Sequence, residues 1–333
     1  MKKMFLLSFI SICFAKSLIY GEEAFKVVVL GSGGGPKESN ISGYLVAPID
    51  STEFVAIDGG SLLGGIYLAS QNGCFDEIEE DPESIFQKEV EIYRHNIKGY
   101  LISHAHLDHV AGLIINSTED VSKPIYAIDS VIDFLRDHLF NGKIWPNFGS
   151  EGNAPILNLY PYQRLQPEKA IHISGTKMNM EPFLLSHSRC YESSAFLIES
   201  AGSYVMYFGD TAPDILESEK LMENAWRRMA PLVLDGRLKG IFLECSFRDR
   251  PDHLLFGHLD AKNMMQELRH FARLVNPLSP EEAIKGLKVL VTHMKDPLLK
   301  KGAFIEDIAR ELEMLNDLGV VFIFPCQGQK ILL

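Results

Sequence analysis

Basic charge is what this sequence most lacks: 32 Lys and Arg against 44 Asp and Glu leave a formal net charge of −12 over 333 residues. A protein that grips DNA or RNA broadly needs a basic face to displace counterions from phosphates, so no nucleic-acid partner is expected. A small anionic substrate stays possible, because a bound metal ion reverses the local sign of charge. Cysteine is sparse. Cys13, Cys74, Cys190, Cys245 and Cys326 contain no C-x-x-C pair; disulfides are open to them in an oxidising compartment, but a chain of this size does not require a framework, and buried free thiols are the expectation. The N-terminal apolar run, 4–15, is shorter than the roughly 20 residues that cross a bilayer as a helix, so no stable membrane association is expected. No low-complexity linker divides the chain, and no flexible His- or Cys-rich tract suggests metal storage.

The same N-terminus has Lys2 and Lys3, then the apolar run, then small or polar residues, the order of a secretory signal peptide. Cleavage after Ser17 and cleavage near Gly21 both fit. Removing Lys2, Lys3 and Lys16 takes the charge from −12 to −15. The expectation is a signal segment over 1–21, a single catalytic domain over 22–333, and a periplasmic or secreted protein.

KVVVLGSGGGP reads as a strand over Lys26–Leu30 entering a glycine-rich turn, Gly31–Pro36, followed by strands in SGYLVAP and EFVAIDGG. Three successive strands suggest a sheet edge built from hairpins. GSGGGP lacks both the G-x-G-x-x-G spacing and a Walker lysine, so it reads as a tight structural turn. GYLI leads into SHAHLDHVAGLI, where a helix begins with Asp108 as a plausible N-cap. Further strands are expected in PIYAI, AIHIS, MEPFLLSHS, SAFLIES, YVMYFGD, GIFLECS, KVLVTH and VVFIFPCQG, with helices near 129–140, 214–234, 260–275 and 303–318.

The segment 104–109 carries most of the chemistry. Side chains alternate along an extended chain, so His104 and His106 aim to one side, and the following turn presents Asp108 and His109 from another angle. Imidazole and carboxylate together suit zinc and other borderline divalent ions. Further ligands must come from elsewhere, and His187, Asp210 and His293 each end an apolar strand. Taken singly, such a residue is more often structural; three in one setting support one another. His95, His138, His172, His253 and His270 sit beside charged, helical or edge-strand residues and are read as structural.

The order Asp58, HAHLDH, His187, Asp210, His293 resembles the five-part motif of the metallo-β-lactamase superfamily over nearly the whole chain past residue 21. The resemblance implies an α/β fold, the four-layer αββα sandwich, with two divalent ions, Zn2+ foremost, at one edge of the paired sheets. It implies that His104, His106 and His187 hold one ion, that Asp108, His109 and His293 hold the other, that Asp210 bridges them, and that Asp58 is a structural neighbour. Within the superfamily, LGSGGGPKESNISGYLV, HAHLDHVAGLIINS and LECSF followed by FGHL resemble the class II cyclic nucleotide phosphodiesterases, a branch with secreted or periplasmic bacterial members.

That branch implies hydrolysis of 3′,5′-cyclic nucleotides, cyclic AMP and cyclic GMP among them, to 5′-monophosphates. Two divalent ions held about 3.5–4 Å apart could share a hydroxide, and in-line attack on phosphorus is the expected mechanism. For Glu244 and His258, local context allows a helix-capping region with a solvated histidine. Resemblance to phosphodiesterase branches, the tRNA 3′-processing endonucleases included, implies instead that His258 meets the scissile phosphate and Glu244 orients it. His258 is then the expected acid for the leaving oxygen, with Asp108 the second candidate. The competing readings are an RNA 3′-processing nuclease, disfavoured by charge and export, and a β-lactam or thioester hydrolase. Oligomeric state and base preference stay open.

Overall fold

The computed structural model describes residues 22–188, 191–298 and 304–333. The proposed signal segment with its Cys13, as well as Cys190, lies outside the described residues. The strands are β1 (Phe25–Gly31), β2 (Gly43–Pro48), β3 (Phe54–Ile57), β4 (Ile97–Leu101), β5 (Ile125–Ile128), β6 (Tyr162–Leu165) and β7 (Ile171–His172). They continue as β8 (Asn179–Ser186), β9 (Glu192–Ser200), β10 (Ser203–Phe208), β11 (Leu238–Glu244), β12 (Lys288–Thr292), β13 (Val321–Ile323) and β14 (Lys330–Leu332). They form two seven-stranded sheets, ordered β14-β1-β2-β3-β4-β5-β6 and β13-β12-β11-β10-β9-β8-β7.

Each sheet is half antiparallel and half parallel. Pairs from β14 to β3 and from β7 to β10 run antiparallel; pairs from β3 to β6 and from β10 to β13 run parallel. Parallel pairing needs a crossover, and helices Leu63–Gln71, Leu107–Asn116, Asp129–Phe134, Leu221–Leu234, Ala261–Val275 and Phe304–Leu315 supply it.

The period of two along the strands divides the core. Phe196, Ile198, Val205, Tyr207 and Phe242 join the cluster built mainly from the first sheet, so they point between the sheets. Their neighbours Ala195, Leu197, Met206, Phe208, Ile241 and Leu243 join Trp226, Met265, Leu268 and Phe271 of the covering helices. Strands buried on both faces therefore read as unbroken apolar runs. The result is a mixed α/β sandwich of two sheets flanked by helices.

Several sequence expectations shift. The hairpin edge is closed by β14, which pairs outside β1 and has only three residues, too short to stand out. AIHIS and VVFIFPCQG shrink to β7 and β13, and both β6 and the helix Leu63–Gln71 are additional elements. The 214–234 helix is a turn at Asp214–Leu216 and then a helix from Leu221; Asp214 caps that helix by accepting from the backbone N–H groups of Met222 and Glu223. Cys74 and Cys245 are buried free thiols, but Cys326 is exposed, because it lies in the loop between β13 and β14.

Candidate metal centre

Strand ends deliver the donors. His104 and His106 follow β4, His187 follows β8, Asp210 follows β10, Glu244 ends β11, and His293 follows β12. Asp108 is not the N-cap: His106 holds that position and the helix already runs from Leu107. The chain turns two residues earlier than the sequence suggests, which frees the Asp108 carboxylate to accept from Gly35 N–H at 3.0 Å and to lie 3.2 Å from His293 Nε2.

The sequence-predicted ligands converge. Donor atoms of His104, His106 and His187 all lie within 4.8 Å of one another, as do those of Asp108, His109 and His293. Asp210 stands between the two sets: its Oδ1 is 3.3 Å from His109 Nε2, and its Oδ2 is 3.2 Å from His293 Nε2, 3.7 Å from His104 Nε2 and 3.9 Å from His187 Nε2. His258 also joins the group, with Nδ1 2.9 Å from Glu244 Oε1 and 3.7 Å from Asp210 Oδ2.

Hydrogen bonds assign the tautomers. Ser103 Oγ–H donates to Asp58 Oδ2, so His104 Nδ1–H donates to Ser103 Oγ at 3.0 Å. His109 Nδ1–H donates to Asp58 Oδ2 at 2.8 Å, and His187 Nδ1–H to Gly257 O at 2.8 Å. Ser246 Oγ–H is committed to Glu244 Oε2, so His293 Nδ1–H donates to Ser246 Oγ at 2.9 Å. In all four rings Nε2 is left facing inward. Burial opposes charge on His109, but Asp210 and Asp58 outweigh it and raise its pKa well above the ordinary histidine value, so a cation binding there must displace its Nε2 proton.

A cation fits what these atoms need. His106 Nδ1 lies 3.1 Å from His104 Nε2 and 3.3 Å from His187 Nε2, so nitrogens of three rings converge on one point where a shared cation can replace a shared proton. The buried His109 Nε2 has no hydrogen-bond partner. Burial holds the pKa of His104 well below the ordinary histidine value, lowers that of His106, and brings His187 to about 4, so these rings are neutral and able to ligate at pH 7. Burial works against the Asp210 carboxylate, but His293 and His109 outweigh it and keep its pKa well below the usual range. Burial also opposes charge on His258, while Glu244 and then Asp210 raise its pKa overall.

Other parts of the site were not visible as such in the sequence. The glycine turn abuts it directly: a Cβ on Gly34 would come within 2.4 Å of the His293 ring. Asp58 and His293 both adopt left-handed backbone, φ 55° in each, a conformation that Asp and His tolerate better than most residues. Tyr207 OH donates to Asp58 Oδ2 at 2.6 Å. The half-buried His106 has no bonded Nε2 among the described residues; its ring is held by stacking on Tyr191, with centroids 4.5 Å apart, and Tyr191 stacks in turn on Phe134. Ser246 and Lys295 lie two residues past Glu244 and His293, so the alternation that paired His104 with His106 was a usable signal for both. Tyr191 and Tyr207 left none.

This fold and this donor arrangement define a metallohydrolase of the metallo-β-lactamase fold, with a two-metal binding site. The backbone resembles the crystal structure of the metallo-β-lactamase fold protein YhfI from Bacillus subtilis (TM-score 0.58, 16% identity, covering 93% of this chain and 100% of that one). It also resembles unliganded yeast PDE1 (TM-score 0.81, 24% identity, 94% and 100%). The model of the family "cAMP phosphodiesterases class-II" matches residues 25–328, and the chain belongs to that family. A 3′,5′-cyclic-nucleotide phosphodiesterase of Aliivibrio fischeri is 39% identical over 309 residues, 92% of each chain. A probable 3′,5′-cyclic-nucleotide phosphodiesterase of Yersinia pestis is 37% identical, covering 92% of this chain and 89% of its own.

Proposed function

We propose that this chain hydrolyses 3′,5′-cyclic nucleotides, cyclic AMP and cyclic GMP among them, to nucleoside 5′-monophosphates. The observation that carries this reading is Asp210, shared between a cluster of three imidazoles and a cluster of two imidazoles and a carboxylate. The activity of the relatives supports the substrate class. Two divalent ions, when bound, supply a nucleophile near neutral pH and offset phosphoryl charge. We assign His104, His106 and His187 to one, Asp108, His109 and His293 to the other, and Asp210 to both; zinc is the ion this donor set favours.

The reaction adds water across the P–O3′ bond: an oxygen joins phosphorus, and the 3′-oxygen leaves with a proton. Asp58, Ser103 and Ser246 hold imidazole protons outward, so that the Nε2 atoms stay turned inward. Glu244 grips His258 through Nδ1 and orients Nε2, from which a proton reaches the departing oxygen; Asp108 is the second candidate for that transfer. The residues 1–21, which precede the described chain, are assigned to export to the periplasm or medium, and 22–333 to one catalytic unit.

The test is a panel of cyclic AMP, cyclic GMP, a β-lactam, a thioester and bis-p-nitrophenyl phosphate, with products separated by chromatography. The expected result is 5′-monophosphate from a cyclic nucleotide at the highest kcat/KM. Preferential β-lactam or thioester cleavage, or release of the 3′-monophosphate, would overturn it.

A further inference from the structure

Lys295 lies in the segment that leaves β12, and its backbone N–H donates to Ser246 O at 3.1 Å, tying it to the strand end that carries Glu244. Its Nζ stands 2.9 Å from His258 Nε2, the ring atom opposite the Glu244 contact. The stem runs between the glycine turn, where a Cβ on Gly35 would be 3.8 Å from Lys295 Cγ, and Phe247, whose ring centroid is 6.0 Å from Nζ.

Among the described residues, no carboxylate pairs with this ammonium, although its neighbour Asp296 pairs with Lys37. Lys295 is half-buried, and its Nζ lies against the His258 ring, which bears no negative charge, and over the face of Phe247. An ammonium carries three donors and no acceptor, so at most one is used on Nε2. A partly desolvated cation without an anion, beside a cluster built to hold metals, is matched in charge when an anion enters.

We propose that Lys295 is a phosphate-binding residue of this site, resting on His258 until a phosphodiester arrives and then taking one of its non-bridging oxygens. Drawing Nζ onto the phosphate uncovers His258 Nε2, which then takes the proton that the attacking water gives up and passes it to the 3′-oxygen. This role rests on the cyclic-nucleotide reading above and adds a contact within it.

The test uses the full, metal-loaded chain with Lys295→Met and Lys295→Arg, and Lys295→Gln should the Met variant fail to fold. Metal equivalents and Tm are measured first and are expected to match the parent. KM for cyclic AMP should rise on the order of 10–100-fold in the uncharged variant, the size of one charge-assisted hydrogen bond, with a smaller change in kcat, and Arg should recover most of the loss. Inorganic phosphate, titrated calorimetrically, should weaken by a similar factor. KM and phosphate affinity both within about twofold of the parent in a folded, loaded variant would overturn the proposal, as would a loss confined to kcat. If the parent turns over no cyclic nucleotide, the functional reading fails and the phosphate titration alone decides the role of Lys295.

Discussion

His109 Nδ1 lies 2.8 Å from Asp58 Oδ2, a bond from the strand end after β3 to the first turn of the helix Leu107–Asn116. Asp58 is fully buried and also accepts from Ser103 N, Ser103 Oγ and Tyr207 OH. Asp58→Ala leaves these donors without an acceptor, at a cost on the order of 3 kcal/mol or more. It also frees the His109 ring to turn. Metal affinity, measured by competition with a chromophoric chelator, should drop about 10–100-fold. Unchanged affinity in a folded variant would show that Asp58 does not orient the ligand.

Two metal equivalents per chain are expected, because seven converging donors exceed the needs of one tetrahedral ion. Elemental analysis of protein purified without chelators checks the number and tells zinc from manganese or iron. Chelator treatment should lower Tm as well as activity, since ions that bind only the folded chain stabilise it. A reproducible value near zero in an active preparation contradicts this assignment.

His258→Ala should keep its metals and lose roughly 10²–10⁴ in kcat on a cyclic nucleotide, the range for general acid catalysis. A p-nitrophenyl ester, whose leaving group departs without a proton, should lose much less. Equal losses on both substrates would point to phosphate binding, and no loss on either would remove His258 from the chemistry.

Glu267 lies away from the metal centre, where it accepts from Trp226 Nε1 at 3.1 Å and Asp214 N–H at 2.9 Å. Burial, and then the Asp214 charge, push its carboxyl up to about 7. The folded state therefore binds this proton more tightly than the unfolded chain does. Its contribution to stability is fully present below about pH 4.5 and is lost as pH rises through 7, amounting to on the order of 2–3 kcal/mol. Urea midpoints from pH 5 to 8 should fall less steeply for Glu267→Gln than for the parent; parallel profiles would refute the assignment.

Export predicts that mature protein, recovered from periplasm or medium, begins between residues 16 and 22. N-terminal sequencing checks it. Active cytoplasmic protein that retains Met1 would exclude the assignment.

The local part of this site could be read directly. His104, His106, Asp108 and His109 are brought together by one strand end and one helical turn, geometries that depend on a few neighbouring residues. His187, Asp210 and His293 were legible as candidates because each ends an apolar run, and a strand's end is where a polar side chain can leave the core. Tertiary structure decided what those local rules cannot reach. Ser246 became the acceptor that sets the His293 tautomer only because β11 and β12 pair in parallel, and Tyr207 reached Asp58 only across the gap between the sheets. Gly34 had to lack a side chain because the His293 ring packs against it, from the far end of the chain. Asp108, read locally as a helix cap, became a site carboxylate because His293 and Gly35 offered it better partners than the backbone of its own helix. Sequence patterning determined which residues end strands and therefore could converge; sheet order and register decided which of them met, because contacts between distant segments depend on packing that no local pattern encodes.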